Sequence, residues 1–291
     1  LTVLRLIQKL LHALGLDSRS IYQGLSARSV EAAAREQGLI ELRENLRRVV
    51  PDVSDQYTAR TDPREFERYW ERKMRGQQAF QIKCVLDVLE KIPGQNLTLA
   101  DVGDSSGNHG AYIKALAQEG KIGRIVGVNL DPAAVEKIRA KGGEAILCRA
   151  EDLSDRDIAP DLFVSFEMLE HLTDPLRFLH SLSANSDAPL LMSVPYRRDS
   201  RFGGNGLRAA DGGTTPLTPE SVHLLELCPA DWKLLARLGG YRCDGSWIYR
   251  QYPLHHPLRL MAPVWRKLDF EGFVVLYLVP DRGMAERYTG W

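Results

Sequence analysis

Leu97-Thr-Leu-Ala-Asp-Val-Gly-Asp-Ser-Ser-Gly-Asn-His-Gly110 decides the fold class of this chain. An apolar run, Leu97 to Val102, stops at a tight turn of small residues, and a helical pattern begins near His109. The same rhythm continues downstream. Arg124 to Leu130 reads as a second strand, Pro132 to Lys141 as a helix, and Glu144 to Cys148 as a third strand. Asp161 to Phe166 is a fourth strand, with helices expected over Glu167 to Leu172 and Pro175 to Leu182. Pro189 to Val194 is a fifth. Strands alternating with helices across short connections predict an α/β protein with a doubly wound, mostly parallel sheet. Phe273 to Val279, rich in β-branched and aromatic residues, reads as a late antiparallel strand.

The turn itself excludes two phosphate-binding signatures. A dinucleotide G-x-G-x-x-G would need glycines where Ser105 and Asn108 stand, and no Gly-Lys-Ser/Thr follows to make a P-loop. Gly103 lets the backbone turn sharply, Gly107 lets a ligand approach, and Asp101 and Asp104 can accept hydrogen bonds.

Upstream, residues 1–95 read as a helical extension, leaving 96–291 as the α/β domain. Leu1, Leu4, Ile7, Leu11 and Leu14 form an apolar stripe that could dock on the body of the protein, on a partner or second copy, or on a membrane surface. A second helix is expected over residues 28–50. A third is expected from the Asp62-Pro63 cap to about Ile92. Its charged, aromatic start could cap a pocket. Residues 196–219 hold five glycines and four arginines, Arg197, Arg198, Arg201 and Arg208. A loop this long after a strand's carboxyl end reads as a lid, with arginines to meet an anionic or hydroxyl-rich acceptor.

Composition narrows the function classes. Thirty-eight Lys plus Arg balance 38 Asp plus Glu, which argues against coating nucleic acid. Cys84, Cys148, Cys228 and Cys243 form no C-x-x-C pair, which argues against a zinc ribbon and for reduced thiols. The longest apolar run is too short for a bilayer span, and no signal peptide is visible, so a cytoplasmic location is expected.

Asp101, Gly103 and Gly107 make the opening stretch resemble the first motif of class I S-adenosylmethionine-dependent methyltransferases, Asp/Glu-x-Gly-x-Gly-x-Gly, with Ser105 at the middle glycine. Four later features follow in the family's order. Gly127-Val-Asn-Leu-Asp131 puts Asn129 where an acidic residue usually holds ribose. Cys148-Arg-Ala-Glu-Asp-Leu153 puts Arg149 at the usual adenine-contacting Asp, leaving Glu151 or Asp152 for that contact. Asp161 to Leu172 carries Glu-x-x-Glu-His, and Ser193-Val-Pro195 ends the fifth strand. The resemblance spans about residues 97 to 280. It implies a Rossmann-like fold, S-adenosylmethionine as cofactor, and cofactor contacts from Asp101, Gly103, Asp104, Ser105, Gly107, Asn129, Leu130, Ala150, Glu151 and Phe166.

Glu167, Glu170 and His171 would converge if they opened a helix, and His223 resembles a later family histidine that returns to the active site. Two carboxylates and imidazole suit a divalent cation, Mg²⁺ or Mn²⁺, with Zn²⁺ or Fe²⁺ as imidazole content rises. Small-RNA 2′-O-methyltransferases and ubiquinone-pathway O-methyltransferases share this Glu-x-x-Glu-His pattern. The same residues could instead form a metal-free polar site, or His171 could simply pack its turn. The resemblance therefore implies O-methyl transfer, with His171, Glu167 and His223 as catalytic candidates. The Asp-Ser-Ser-Gly loop and Asn-Leu-Asp strand end resemble enzymes of bacterial surface polysaccharides, so a sugar or glycan hydroxyl is the first expectation. A quinone-type phenol is second and RNA third. Ser105, Asn129 and Arg149 keep open a partner subunit that holds cofactor without catalysing. His255 and His256 read as structural.

Overall fold

A computed structural model of the chain describes residues 17–56, 70–156, 158–204, 207–208, 217, 222–268 and 270–287. The Leu1–Leu14 stripe and the Asp62-Pro63 cap lie outside these residues, as does much of the expected lid.

Seven strands form one sheet: β1 (Leu97–Val102), β2 (Ile122–Asn129), β3 (Glu144–Leu147), β4 (Leu162–Phe166), β5 (Leu190–Pro195), β8 (Tyr241–Arg250) and β9 (Gly272–Pro280). Their order is β3-β2-β1-β4-β5-β9-β8. The first five pair in parallel and β9 inserts antiparallel between β5 and β8. A two-stranded ladder, β6 (Arg201–Phe202) with β7 (Leu225–Glu226), stands apart. All five residues of β4 are buried, as expected of a strand covered on both faces. Each such Val, Leu or Phe stabilises the fold by roughly 1.5–3 kcal/mol relative to exposure.

Helices cover both faces. The expected helix over residues 28–50 is two, α1 (Ser18–Glu36) and α2 (Ile40–Val49). The chain breaks at Gly38, whose φ of 67° is the left-handed conformation that commonly ends helices. With α3 (Glu71–Leu89) and α4 (Asn108–Leu116), they share one core with the sheet, joining Leu46, Ala79 and Ile82 to Leu99, Val164 and Val275. The described part of the N-terminal extension is therefore a layer of the fold. The opposite face is closed by α6 (Pro175–Asn185) and α7 (Pro229–Leu238), through Phe178, Leu179, Leu182 and Trp232. α5 (Pro132–Ala140) packs Val135 and Ile138 on Ala145 of β3. Both α5 and α6 start at Asp-Pro, with Asp131 accepting from Ala133 N at 2.8 Å and Asp174 from Arg177 N at 2.9 Å.

One expected helix is absent. Residues 167–172 form only a single 3₁₀ turn, Leu169–His171, preceded by Glu167 at φ 53°. Leaving β4 through a left-handed residue redirects the chain and removes the i, i+4 alignment of Glu167 with His171.

Candidate active site

The parallel strands end their carboxyl termini at one edge, where open α/β sheets bind ligands. There Gly103 takes φ 94° and donates its N–H to Val128 O at 2.8 Å. A Cβ at this position would lie 2.8 Å from Met168 Cγ. Asp104 Oδ1 then accepts from Ser106 N at 3.0 Å and Gly107 N at 2.7 Å, fixing the turn into α4. Asn129 braces the loop from β2: its amide donates to Asp104 O at 2.8 Å and its oxygen accepts from Asp131 N at 2.8 Å. These two bonds make Asn129 a brace of the loop at the end of β2.

A strap from the N-terminal layer finishes the loop. Ser105 Oγ donates to Gln56 O at 2.6 Å. Gln56 Oε1 accepts from Gln78 Nε2 at 2.9 Å, Asn108 Nδ2 at 2.9 Å and Ser106 Oγ at 3.1 Å. Lys141 Nζ ties Asp55 Oδ2, at 2.6 Å, to Ser106 O, at 2.8 Å. Nothing in a lone Gln between Asp55 and Tyr57 signals this role in the sequence.

One group in the loop stays unsatisfied. Asp101 is buried, and its Oδ2 makes no hydrogen bond among the described residues. Burial, reinforced by Asp104, pushes its carboxyl well above the usual range. A buried acceptor beside a loop that a Cβ would block fits the ammonium end of S-adenosylmethionine. The remaining candidates distribute unevenly. Ala150 opens a 3₁₀ turn and Glu151 meets Arg149 at 3.4 Å. Leu130 is exposed beside the loop, whereas Phe166 is buried with its ring 4.9 Å from that of His109.

The Glu-x-x-Glu-His turn builds a second cluster. Ligand atoms of Glu170, His171 and His223 all lie within 4.8 Å of one another. Glu170 is fully buried, and neither carboxylate oxygen accepts a hydrogen bond among the described residues, with Oε1 3.8 Å from His171 Nε2. Burial first, then Glu167 and Glu226, drive its carboxyl well above the usual range. His171 Nδ1 lies 2.7 Å from Val222 O, and His223 Nδ1 lies 2.8 Å from Glu226 Oε1. A carbonyl or carboxylate oxygen accepts only, so each Nδ1 carries a proton, and in a neutral imidazole it is then Nε2 that offers a lone pair to a metal. Two such imidazoles beside a buried carboxylate that accepts no hydrogen bond are a donor set suited to a divalent cation.

Glu226, which sequence reading passes over, organises the surroundings. It sits 2.6 Å from Arg201 Nη2 and 3.6 Å from Arg197 Nε. Burial opposes its charge, but the bonds from His223 and Arg201 prevail and hold its pKa at about 2. Arg198 is likewise 3.3 Å from Glu271, and Arg208 donates to Phe202 O and Gly203 O. All four loop arginines thus have internal partners.

Glu167 stands apart from the cation cluster, contrary to the expectation of a shared helix face. Ser193 Oγ donates to its Oε1 at 2.6 Å, and Gln81 Nε2 donates to Ser193 Oγ at 2.9 Å. Gln81 Oε1 in turn accepts from His109 Nε2 at 3.1 Å. Burial raises the Glu167 pKa to about 8, against the opposing pull of the Ser193 bond and Lys73. Lys73 of α3, also missed from sequence, lies 5.0 Å from the Trp70 ring and 5.9 Å from Phe270. An apolar cleft of about 550 Å³, with Leu172, Phe202, Leu207 and Leu224 in its wall, adjoins the two histidines along the chain. His255 and His256 lie elsewhere. Their backbone N–H groups, with that of Leu254, bind the Glu36 carboxylate, a structural role.

Residues 101–184 match the sequence pattern of the methyltransferase domain family. No curated protein matches the chain. Among solved structures, the chain is similar to one described as a sarcosine dimethylglycine methyltransferase from Galdieria sulphuraria. Identity is 10%, covering 83% of this chain and 98% of that one, with a TM-score of 0.52. A chain from the complex between the Haloferax volcanii Trm112 methyltransferase activator and a methyltransferase gives 17% identity, 75% and 96% coverage, and a TM-score of 0.51. The CurJ carbon methyltransferase gives 13%, 72% and 55%, and 0.50. At these identities the likeness is one of fold. No helix among the described residues is long and apolar enough to cross a membrane. Strand order, glycine loop and family pattern converge on one part of the chain: residues 101–184, which match the methyltransferase domain family, run from the end of β1 through β4 and into α6.

Proposed function

We propose that the chain is a class I S-adenosylmethionine-dependent methyltransferase that transfers a methyl group to a hydroxyl oxygen, most directly one of a vicinal diol on a sugar or glycan, with help from a divalent cation. The observation that carries this reading is Glu170: a buried carboxylate with neither oxygen accepting a hydrogen bond among the described residues, beside two imidazoles that in their neutral form offer Nε2 lone pairs. When bound, S-adenosylmethionine supplies a methyl group on a positively charged sulfur. A cation held by Glu170, His171 and His223 would lower the pKa of an acceptor hydroxyl. Two imidazoles and one carboxylate favour Mn²⁺, Fe²⁺ or Zn²⁺ over Mg²⁺.

The chain's own residues supply the rest. Asp101 faces the cofactor's amino group, and the strap through Gln56 keeps the loop closed against it. Glu167, held by Ser193, is ionised once pH exceeds its pKa of about 8, and in that form it takes the proton released as the acceptor oxygen is methylated. The apolar cleft beside the histidines receives the less polar part of the acceptor.

Calorimetry with S-adenosylmethionine and S-adenosylhomocysteine is the first test, and no binding of either at millimolar concentration would sink the assignment. Methyl transfer to a panel of sugars and glycans, with and without chelator, is the second. Full activity after rigorous chelation, with Glu170→Ala equally active, would remove the cation.

A further inference from the structure

A second polar cleft lies in the N-terminal layer, away from the Glu-x-x-Glu-His turn. Its volume is about 350 Å³, and Glu31, Arg43, Arg47, Arg72 and Arg75 line it. The acids around it are shared. Glu31 serves Arg35 and Arg43, at 3.4 and 2.6 Å. Glu44 serves Arg43 and Arg47, at 3.8 and 3.3 Å, and Glu71 serves Arg47 and Arg75, at 3.0 and 2.9 Å. Arg72 forms no ion pair among the described residues. Among the described residues, the cleft wall thus sets one carboxylate, Glu31, against four guanidinium groups, with Glu44 and Glu71 shared among Arg43, Arg47 and Arg75.

Two of these guanidinium groups are also fixed and incompletely bonded. The Arg75 side chain is 1% exposed and that of Arg43 is 10% exposed. Arg75 Nη1 and Arg43 Nε are buried without a hydrogen-bond acceptor among the described residues. A buried, charged donor without an acceptor is costly, and fixed guanidinium edges suit the oxygens of phosphate. Arg75 is tied to the cofactor loop as well. Its Nη2 donates to Val50 O at 2.9 Å and Pro51 O at 2.6 Å, directly ahead of the strap that ends at Gln56.

We infer that this cleft binds a phosphate-class oxyanion. Arg43 and Arg75 form its floor, and Arg47 and Arg72 close over the ligand from the exposed side. The anion supplies negative charge beside guanidinium groups that outnumber the carboxylates around them. The inference is independent of the acceptor proposed above. A free phosphate and the phosphate of a phosphorylated sugar present the same chemistry.

The test uses the full chain with inorganic pyrophosphate and, separately, glucose 1-phosphate as probes, followed by calorimetry and thermal melting at constant ionic strength. Arg47→Gln/Arg72→Gln is the informative variant, because both side chains are on the accessible side and S-adenosylhomocysteine binding reports an intact fold. We expect saturable binding of at least one probe, weakened about tenfold or more in the variant, since each lost charged hydrogen bond costs about that factor. The tighter probe identifies the source. The inference is overturned if neither probe binds, if sodium chloride of equal ionic strength gives the same melting shift, or if the variant binds as wild type does.

Discussion

The two ends of the active site differ in what the protein itself completes. At the cofactor loop, Asp104, Asn129, Gln56 and Lys141 satisfy one another and the backbone across residues 103–108. At the Glu-x-x-Glu-His turn, the histidines are held from behind while the carboxylate beside them accepts no hydrogen bond among the described residues. The first region is built by hydrogen bonds within the chain. The second leaves a buried acid uncompensated, and burial of that kind persists when a bound group repays it. Asp101 is the exception within the first region, since its Oδ2 accepts no hydrogen bond among the described residues.

The largest effect that would break this contrast is on the second region. Glu170→Ala should weaken cation binding by more than about 100-fold, since even a partner behind a ligand is worth roughly 10- to 100-fold. Glu226→Gln should fall within that 10- to 100-fold range, because it changes only the group that orients His223. Titration with Co²⁺, read by its visible absorption, measures both affinity and geometry. S-adenosylhomocysteine affinity should remain unchanged in both variants. If both bind Co²⁺ as wild type does, Glu170 is a packed acid and the contrast fails.

Gly103→Ala probes the first region. It places a Cβ against Met168 at a φ of 94°, so it should cost about 1–3 kcal/mol of stability and weaken cofactor binding together. Thermal melting and calorimetry read the two effects. A variant as stable as wild type would mean that the loop is not held in the conformation described.

The sequence exposes the first region better than the second. Strand β4 is apolar but for Ser165, and the Asp-Pro starts of α5 and α6 are local signals for helix entry, so both are readable from the sequence alone. β8 is not, because it alternates exposed Arg242 and Asp244 with partly buried residues and lies at the sheet edge, where polarity hides the strand pattern. The Glu167–His171 segment misleads for a different reason. Its spacing fits a helix, but β4 exits through a left-handed Glu167, a tertiary constraint that periodicity does not encode. Gln56 and Lys73 reach the site from the N-terminal layer, far from the motifs in sequence, so no motif spacing points to them, whereas Glu226 lies only three residues beyond His223.

The effects that appear only as a change with pH come from two carboxylates whose environments shift them in opposite directions. Glu226 has its pKa held at about 2, so it contributes stability above its ordinary value of 4.5 that disappears as pH falls toward 2. Glu167 is raised to about 8, so the native state favours its neutral form. Its contribution is complete below 4.5 and lost as pH rises through 8. Replacing each by Gln removes one slope. The stability advantage of wild type over Glu226→Gln should shrink between pH 5 and about 2. That of Glu167→Gln over wild type should grow between 4.5 and about 8 and then level off. Denaturant melts of the cation-free protein across this range measure both. Parallel slopes for the two variants would mean that Glu167 and Glu226 share one environment. The separation between a buried proton acceptor and a charged brace behind His223 would then be lost.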